Sequence, residues 1–244
     1  MFKPFGTLTA ALLLALAAPA QAANVGMGWS HFHTPTLADN LAQRGDTVST
    51  FTRLDERDWA GLDVLILDGT FDTTFYGAAL DAFVYNGGTL ILQPLSMTYK
   101  GIGAGLSVVG EYHHAVLAET QPGITALAAG DRLLQGVTLP EAGGATIGRE
   151  VGTAFAEGAT PVLEWEDGAA LLGYRQYGAG TVVAFNVNLV TSDGNPLDAA
   201  WSNRIVYNAI DAAVSPVPEP ATHAMLGAGL LALGAARRRA RAGG

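Results

Sequence analysis

The sequence predicts an α/β domain built on a doubly wound, mostly parallel sheet with an antiparallel extension. Three observations carry that expectation. Val64-Leu65-Ile66-Leu67 and Thr89-Leu90-Ile91-Leu92-Gln93 are dominated by continuous apolar runs, as strands of a parallel sheet are when both faces are covered. Between such runs stand stretches with apolar residues at helical spacing, so strand and helix alternate through the first half of the chain. In the second half, β-rich stretches follow one another through short glycine-containing turns, the pattern of antiparallel neighbours.

Taken in order, Val25 to Trp29 forms the first strand. Thr36 to Arg44 is a helix with Leu37, Asn40 and Leu41 on one face, stopped by Gly45. Thr47 to Thr52 is the second strand, and Val64 to Leu67 is the third, ended by Asp68-Gly69. Ala78 to Tyr85 sets Leu80, Phe83 and Val84 at helical spacing, and Asn86-Gly87-Gly88 terminates it before the fourth strand. Gly101 to Gly110 is glycine-rich and fits no regular element. Pro161 to Glu166, Ala169 to Tyr177 and Thr181 to Asn186 read as strands joined at Asp167-Gly168 and Gly178-Ala179-Gly180. Ala199 to Ala213 closes the domain as a helix with Trp201, Ile205, Asn208 and Ala209 along one side.

The two ends of the chain are of another kind. Lys3 precedes an apolar stretch from Leu8 to Ala18, and Ala20-Gln21-Ala22 supplies the small residues of a signal-peptidase site, so residues 1–22 read as a cleaved signal peptide. The stretch falls short of the roughly 20 residues that span a bilayer. At the other end, a linker over residues 214–217 leads to Pro218-Glu219-Pro220, then an apolar segment from Ala224 to Ala236, then Arg237-Arg238-Arg239-Ala240-Arg241. As a helix that segment is about 20 Å long, against a hydrocarbon core of about 30 Å. Gly227, Gly229 and Gly234 weaken it further. An arginine cluster beside an apolar segment stays on the cytoplasmic side, which puts the preceding domain outside the membrane.

Val217-Pro218-Glu219-Pro220-Ala221-Thr222, the short apolar helix and the terminal arginines together resemble the PEP-CTERM sorting signal, over residues 218–241. That resemblance implies that an exosortase, a membrane transpeptidase-like enzyme, recognises Pro218, Glu219 and Pro220. It implies too that the C-terminal hydrophobic helix holds the chain in the membrane only before processing. The destination it implies is the cell surface or extracellular matrix, in the company of exopolysaccharide and biofilm.

Residues 23–213 are then the exported domain. From Ala23 to Val217 there are 8 basic and 21 acidic side chains, a net charge of −13, and Lys3 and Lys100 are the only lysines of the chain. Nucleic acid is excluded as a partner, because phosphate binding draws on clustered Lys and Arg. There is no cysteine. Disulfides, thiolate metal sites and a cysteine nucleophile are therefore excluded, and the core alone must hold the fold.

Leu62 to Leu67, Phe83 to Leu92 and Tyr174 to Val183 resemble the class I glutamine amidotransferase-like fold, in the flavodoxin-like superfamily that includes the trehalose-utilisation-like domains. The likeness covers most of Val25 to Ala213 and implies a flavodoxin-like doubly wound sheet. It departs from the enzymes at the decisive place: where they set a cysteine after a central strand, this chain has Gln93-Pro94-Leu95-Ser96-Met97. Amidotransfer, which needs a thiolate, is not expected.

In open parallel sheets, ligands collect beyond the carboxyl ends of the strands. That edge gathers Ser30, His31 and His33 after the first strand, Asp68 and Asp72 after the third, and Ser96 after the fourth. His31, His33 and Asp68 are the donor types that suit zinc or another divalent metal; read as a solvated loop, they have no fixed geometry. Ser96 with His113 or His114 and Asp68 supplies the parts of a hydrolase triad, though no Gly-x-Ser-x-Gly elbow surrounds the serine. The plainer reading makes Ser96 the end of a strand and the histidines structural. Trp29, Phe32, Tyr99, Tyr112 and Trp165 are either sugar-stacking surfaces or core. Gly101, Gly103 and Gly105 are followed by no lysine-serine pair of a phosphate loop. The expectation is a non-catalytic module that binds exopolysaccharide or another envelope protein. The alternative is a metal-assisted or serine hydrolase of envelope glycans, using His31, His33, Asp68, Ser96 and His113.

Overall fold

A computed structural model describes residues 22–28, 35–56, 58–67, 76–94, 96–97, 105–110, 114–143, 146–187 and 199–214. The chain divides into two units, Met1–Val214 and Ser215–Gly244, and every described residue belongs to the first. Ten strands run in chain order as β1 (Asn24–Gly28), β2 (Thr47–Phe51), β3 (Val64–Leu67), β4 (Thr89–Leu92), β5 (His114–Thr120), β6 (Ile124–Ala126), β7 (Thr146–Val151), β8 (Thr160–Trp165), β9 (Ala170–Tyr177) and β10 (Gly180–Phe185). Three helices are described: α1 (Pro35–Arg44), α2 (Gly77–Tyr85) and α3 (Ala199–Val214).

Eight strands form one sheet in the order β2-β1-β3-β4-β10-β9-β8-β6. The first five are mutually parallel, and β9, β8 and β6 extend the sheet antiparallel. The order 2-1-3-4 followed by a fifth parallel strand is that of flavodoxin-like doubly wound sheets. β8 and β9 fall on stretches expected as antiparallel neighbours, the third such stretch is β10, antiparallel to β9 but parallel to β4, and the edge strand β6 was not expected.

Alternation along the central strands feeds two layers. Val64 and Ile66 of β3 join Leu37 and Leu41 of α1 and Trp201, Ile205 and Ile210 of α3. Leu65 and Leu67 face the other way, into Leu80 and Val84 of α2. Each strand residue points opposite to its neighbour, so four consecutive apolar residues are needed to satisfy both layers, and all four are buried.

Helices α1 and α2 end in the same manner. Gly45 has φ +104° and donates to Ala42 O at 3.0 Å while Asp46 N–H reaches Leu41 O at 3.1 Å. Gly87 has φ +114° and donates to Val84 O at 2.9 Å while Gly88 N–H reaches Phe83 O at 3.0 Å. Both are Schellman closures, in which a left-handed residue, here glycine, turns the chain back onto the last carbonyls.

The closing helix is held at several points. Phe185 and Trp201 meet edge to face at 5.6 Å. Asn208 Nδ2 donates to Leu133 O and Gln135 O, both at 2.9 Å, and Arg204 Nε donates to Gln135 O at 3.1 Å. From α1, Arg44 spans Asp46 and Asp211, each at 2.7 Å, with its guanidinium over the Tyr207 ring.

One element pair was not anticipated. β5 and β7 form a separate two-stranded antiparallel ribbon, and β7 carries Arg149 and Glu150 into the interior at 2 % and 0 % exposure. Adjacent charged residues read as a surface loop in sequence, because such side chains are seldom buried without partners. Among the described residues no helix is long and apolar enough to cross a membrane.

Candidate functional site

The chain leaves β1 for β2 on one side and β3 for β4 on the other, so the sheet changes winding direction between β1 and β3. Sheets of this kind place their ligand crevice at that point, beyond the carboxyl ends. Gly28 pairs with Leu67 in the register, which puts the last residues of β1 and β3 side by side. The candidates that follow these strands, Ser30, His31, His33, Asp68 and Asp72, lie outside the described residues, as do Glu111, Tyr112 and His113. His114 opens β5 opposite Val151. Trp29, Phe32 and Tyr99 also lie outside, whereas Trp165 is fully buried, with Arg149 over its ring at 5.4 Å. Among the described residues no three His, Asp or Glu gather to hold a metal ion.

Ser96 is described, and its hydroxyl is occupied. The residue is 0 % exposed. Its Oγ accepts from Gln93 N–H at 3.0 Å, and its single proton is shared between Leu67 O at 3.1 Å and Gln93 O at 2.9 Å. The hydroxyl therefore ties the carboxyl end of β3 to that of β4.

A second polar cluster, which the sequence did not announce, sits at the carboxyl end of β10. Asn186 is 1 % exposed. Its Oδ1 accepts from Glu150 N–H at 2.7 Å, and its Nδ2 donates to Glu150 O at 2.8 Å and Ala170 O at 2.7 Å. One side-chain amide thus completes the pairing of β7 and the start of β9 beside the main sheet. The available signal was an asparagine closing the apolar run Val182-Val183-Ala184-Phe185, where a polar side chain needs buried partners.

Beneath that cluster Arg149 Nη2 donates to Asp167 Oδ2 at 2.8 Å. Burial alone lifts the Asp167 carboxyl, but the Arg149 hydrogen bond and the N–H of Ala169 outweigh it and hold the group below the usual carboxylate range.

The described part of the carboxyl edge therefore engages Ser96 and Asn186 with backbone groups. Its architecture is shared with known structures. The domain resembles a cytoplasmic protein of Salmonella typhimurium (TM-score 0.57, 16 % identity, 78 % of this chain and 98 % of that one). It also resembles a ThuA-like protein of Bacteroides uniformis (0.55, 11 %, 82 % and 95 %). A third is a glutamine amidotransferase of Thermotoga maritima (0.53, 8 %, 80 % and 100 %). At these identities the likeness concerns the fold: the domain has the flavodoxin-like architecture of class I glutamine amidotransferase-like and ThuA-like proteins.

Residues 216–240 match the family model of the PEP-CTERM protein-sorting motif. The chain carries that signal, which implies export, transient membrane anchoring and processing by an exosortase. No curated protein matches the sequence.

Proposed function

We propose that the exported domain, residues 23–213, is a non-catalytic binding module of the cell surface or extracellular matrix that engages exopolysaccharide or another envelope protein. In this reading residues 1–22 are removed on export, and residues 214–217 link the domain to the sorting signal at 218–241. The observation that carries it is the state of Ser96. A serine nucleophile must present its oxygen to a substrate and pass its proton to a base. Here the oxygen is buried and the proton already lies between two backbone carbonyls, so attack would require the ends of β3 and β4 to part. The chain's lack of cysteine removes the thiolate that amidotransfer uses. The acidic domain favours solubility in a crowded matrix.

The test uses protein recovered from the envelope of the cell that makes it, incubated with that cell's polysaccharide. Retention on the polymer with no release of new reducing ends is the expected result. Release of oligosaccharide, together with stoichiometric metal that disappears in His31→Ala and His33→Ala, would replace the binding module with a metal-assisted hydrolase.

A further inference from the structure

On the opposite edge of the sheet, at the amino ends of β3 and β4, lies a groove of about 440 Å³. One wall is the segment Trp59 to Leu62 that leads into β3. The other is a stripe of α2 and its C-cap, Ala79, Ala82, Phe83 and Asn86, whose spacing puts all four on one helical face. Leu80 and Val84 turn the remaining face of α2 into the core, so the stripe is left to the groove.

The walls are rigid. Trp59 donates its indole N–H to Leu54 O at 3.2 Å and meets Phe83 edge to face at 6.3 Å and 82°. Phe83 in turn lies over Gly88, where even a Cβ would come within 2.4 Å of the ring. Beside the paired rings, the lining residues Ala79, Ala82 and Gly61 end at Cβ or Cα. Asn86 stands exposed at the end of the stripe, and its side-chain amide makes no hydrogen bond among the described residues. An amide both donates and accepts, which matches a pair of neighbouring hydroxyls.

Charge and topology narrow the occupant. No lining residue is charged, and the residues adjoining them in sequence that carry charge at neutral pH are Asp58, Asp63 and Asp81. An anionic polymer would find no cation among the lining residues. An extended peptide would find no strand edge to pair with, since β3 and β4 are both internal to the sheet. A pyranose ring has an apolar face for an aromatic wall and hydroxyls for an amide, and needs neither charge nor strand edge.

We propose that this groove binds an uncharged polysaccharide, with a hexose ring seated between Trp59 and the Ala79–Ala82 stripe and its hydroxyls engaged by Asn86. The proposal rests on the reading of the domain as a polysaccharide-binding module, and gives that module its place and ligand class.

The cell's own polysaccharide is split on an anion exchanger into neutral and acidic fractions, and the full chain is run through gels containing each. The neutral fraction retards the wild-type chain and the acidic fraction does not. The double substitution Ala79→Gln/Ala82→Gln fills the groove from exposed helical positions, keeps Tm within about 2 °C, and weakens retardation at least tenfold. Trp59→Ala gives the same loss, with a lower Tm from its packing against Phe83. If the neutral polymer retards the double variant as strongly as the wild type, or the acidic fraction binds equally well, the groove is not the site, although the binding module survives. If neither fraction retards the wild-type chain, the polysaccharide reading falls with it.

Discussion

Asn186 does with one side chain what a strand edge does with its backbone: it offers a carbonyl and an N–H in register to another strand. Asn186→Ala strips partners from the N–H and C=O of Glu150 and from Ala170 O, all in a buried region. Each orphaned group costs about 1–3 kcal/mol, and with partial relaxation the sum is about 3 kcal/mol. Urea unfolding should show that loss, and thermal unfolding a fall in Tm of about 6–12 °C. Asp167 adds a pH signature. Its folded carboxyl titrates below its unfolded value of about 3.9, so the stabilisation is present above that value and lost as pH falls through the lower, folded one. Asp167→Asn should therefore be less stable at pH 7, with a shallower acid limb, and should converge on wild type at the acid end of a urea series. Asp167 is 42 % exposed, and the solvent-screened difference at pH 7 is about 1 kcal/mol.

At the scale of elements, the contact of α2 with β10 is the tightest constraint. A Cβ at Gly180 would lie 2.2 Å from Val84 O and 2.3 Å from Gly88 O, both backbone atoms with nowhere to move. Gly180→Ala should force the end of α2 away from the sheet at a cost of about 3 kcal/mol, read as a lowered urea midpoint with an unchanged m-value. The same elements mark what sequence reveals. β3 and β4 were legible because Val64 to Leu67 and Leu90 to Leu92 are apolar without interruption, and α1 and α2 because Leu37/Leu41 and Leu80/Val84 recur at helical spacing before a glycine stop. β5 and β7 were not, because Arg149 and Glu150 stand within β7 and burial of such side chains depends on tertiary partners, as the Arg149 guanidinium has in Asp167. The candidate edge was legible in outline, since Gly28 and Leu67 do end side by side. The role of Ser96 was not, because whether a hydroxyl faces solvent or a backbone carbonyl is decided by how two strands from distant parts of the chain approach each other. The groove at the amino edge was hidden for a similar reason, since Trp59 and Phe83 are 24 positions apart in sequence.

For the whole molecule, the sorting signal makes the clearest forecast. Intact mass of the protein from its own envelope should show a chain that ends close to Glu219, and replacing Pro218 and Glu219 with alanine should leave a full-length, membrane-retained species. A chain of native length in the wild type would mean that the signal is never processed. The arrangement of α3 has its own consequence for a protein carried at a surface. The grips of its Asn208 and Arg204 on Leu133 and Gln135, the hold of Arg44 on its Asp211, and the packing of Trp201 against Phe185 lie at successive positions along the helix. Traction applied at Val214 must shear these fastenings together before any strand peels away. Under load at Val214, Asn208→Ala should therefore rupture at a lower force than the wild type.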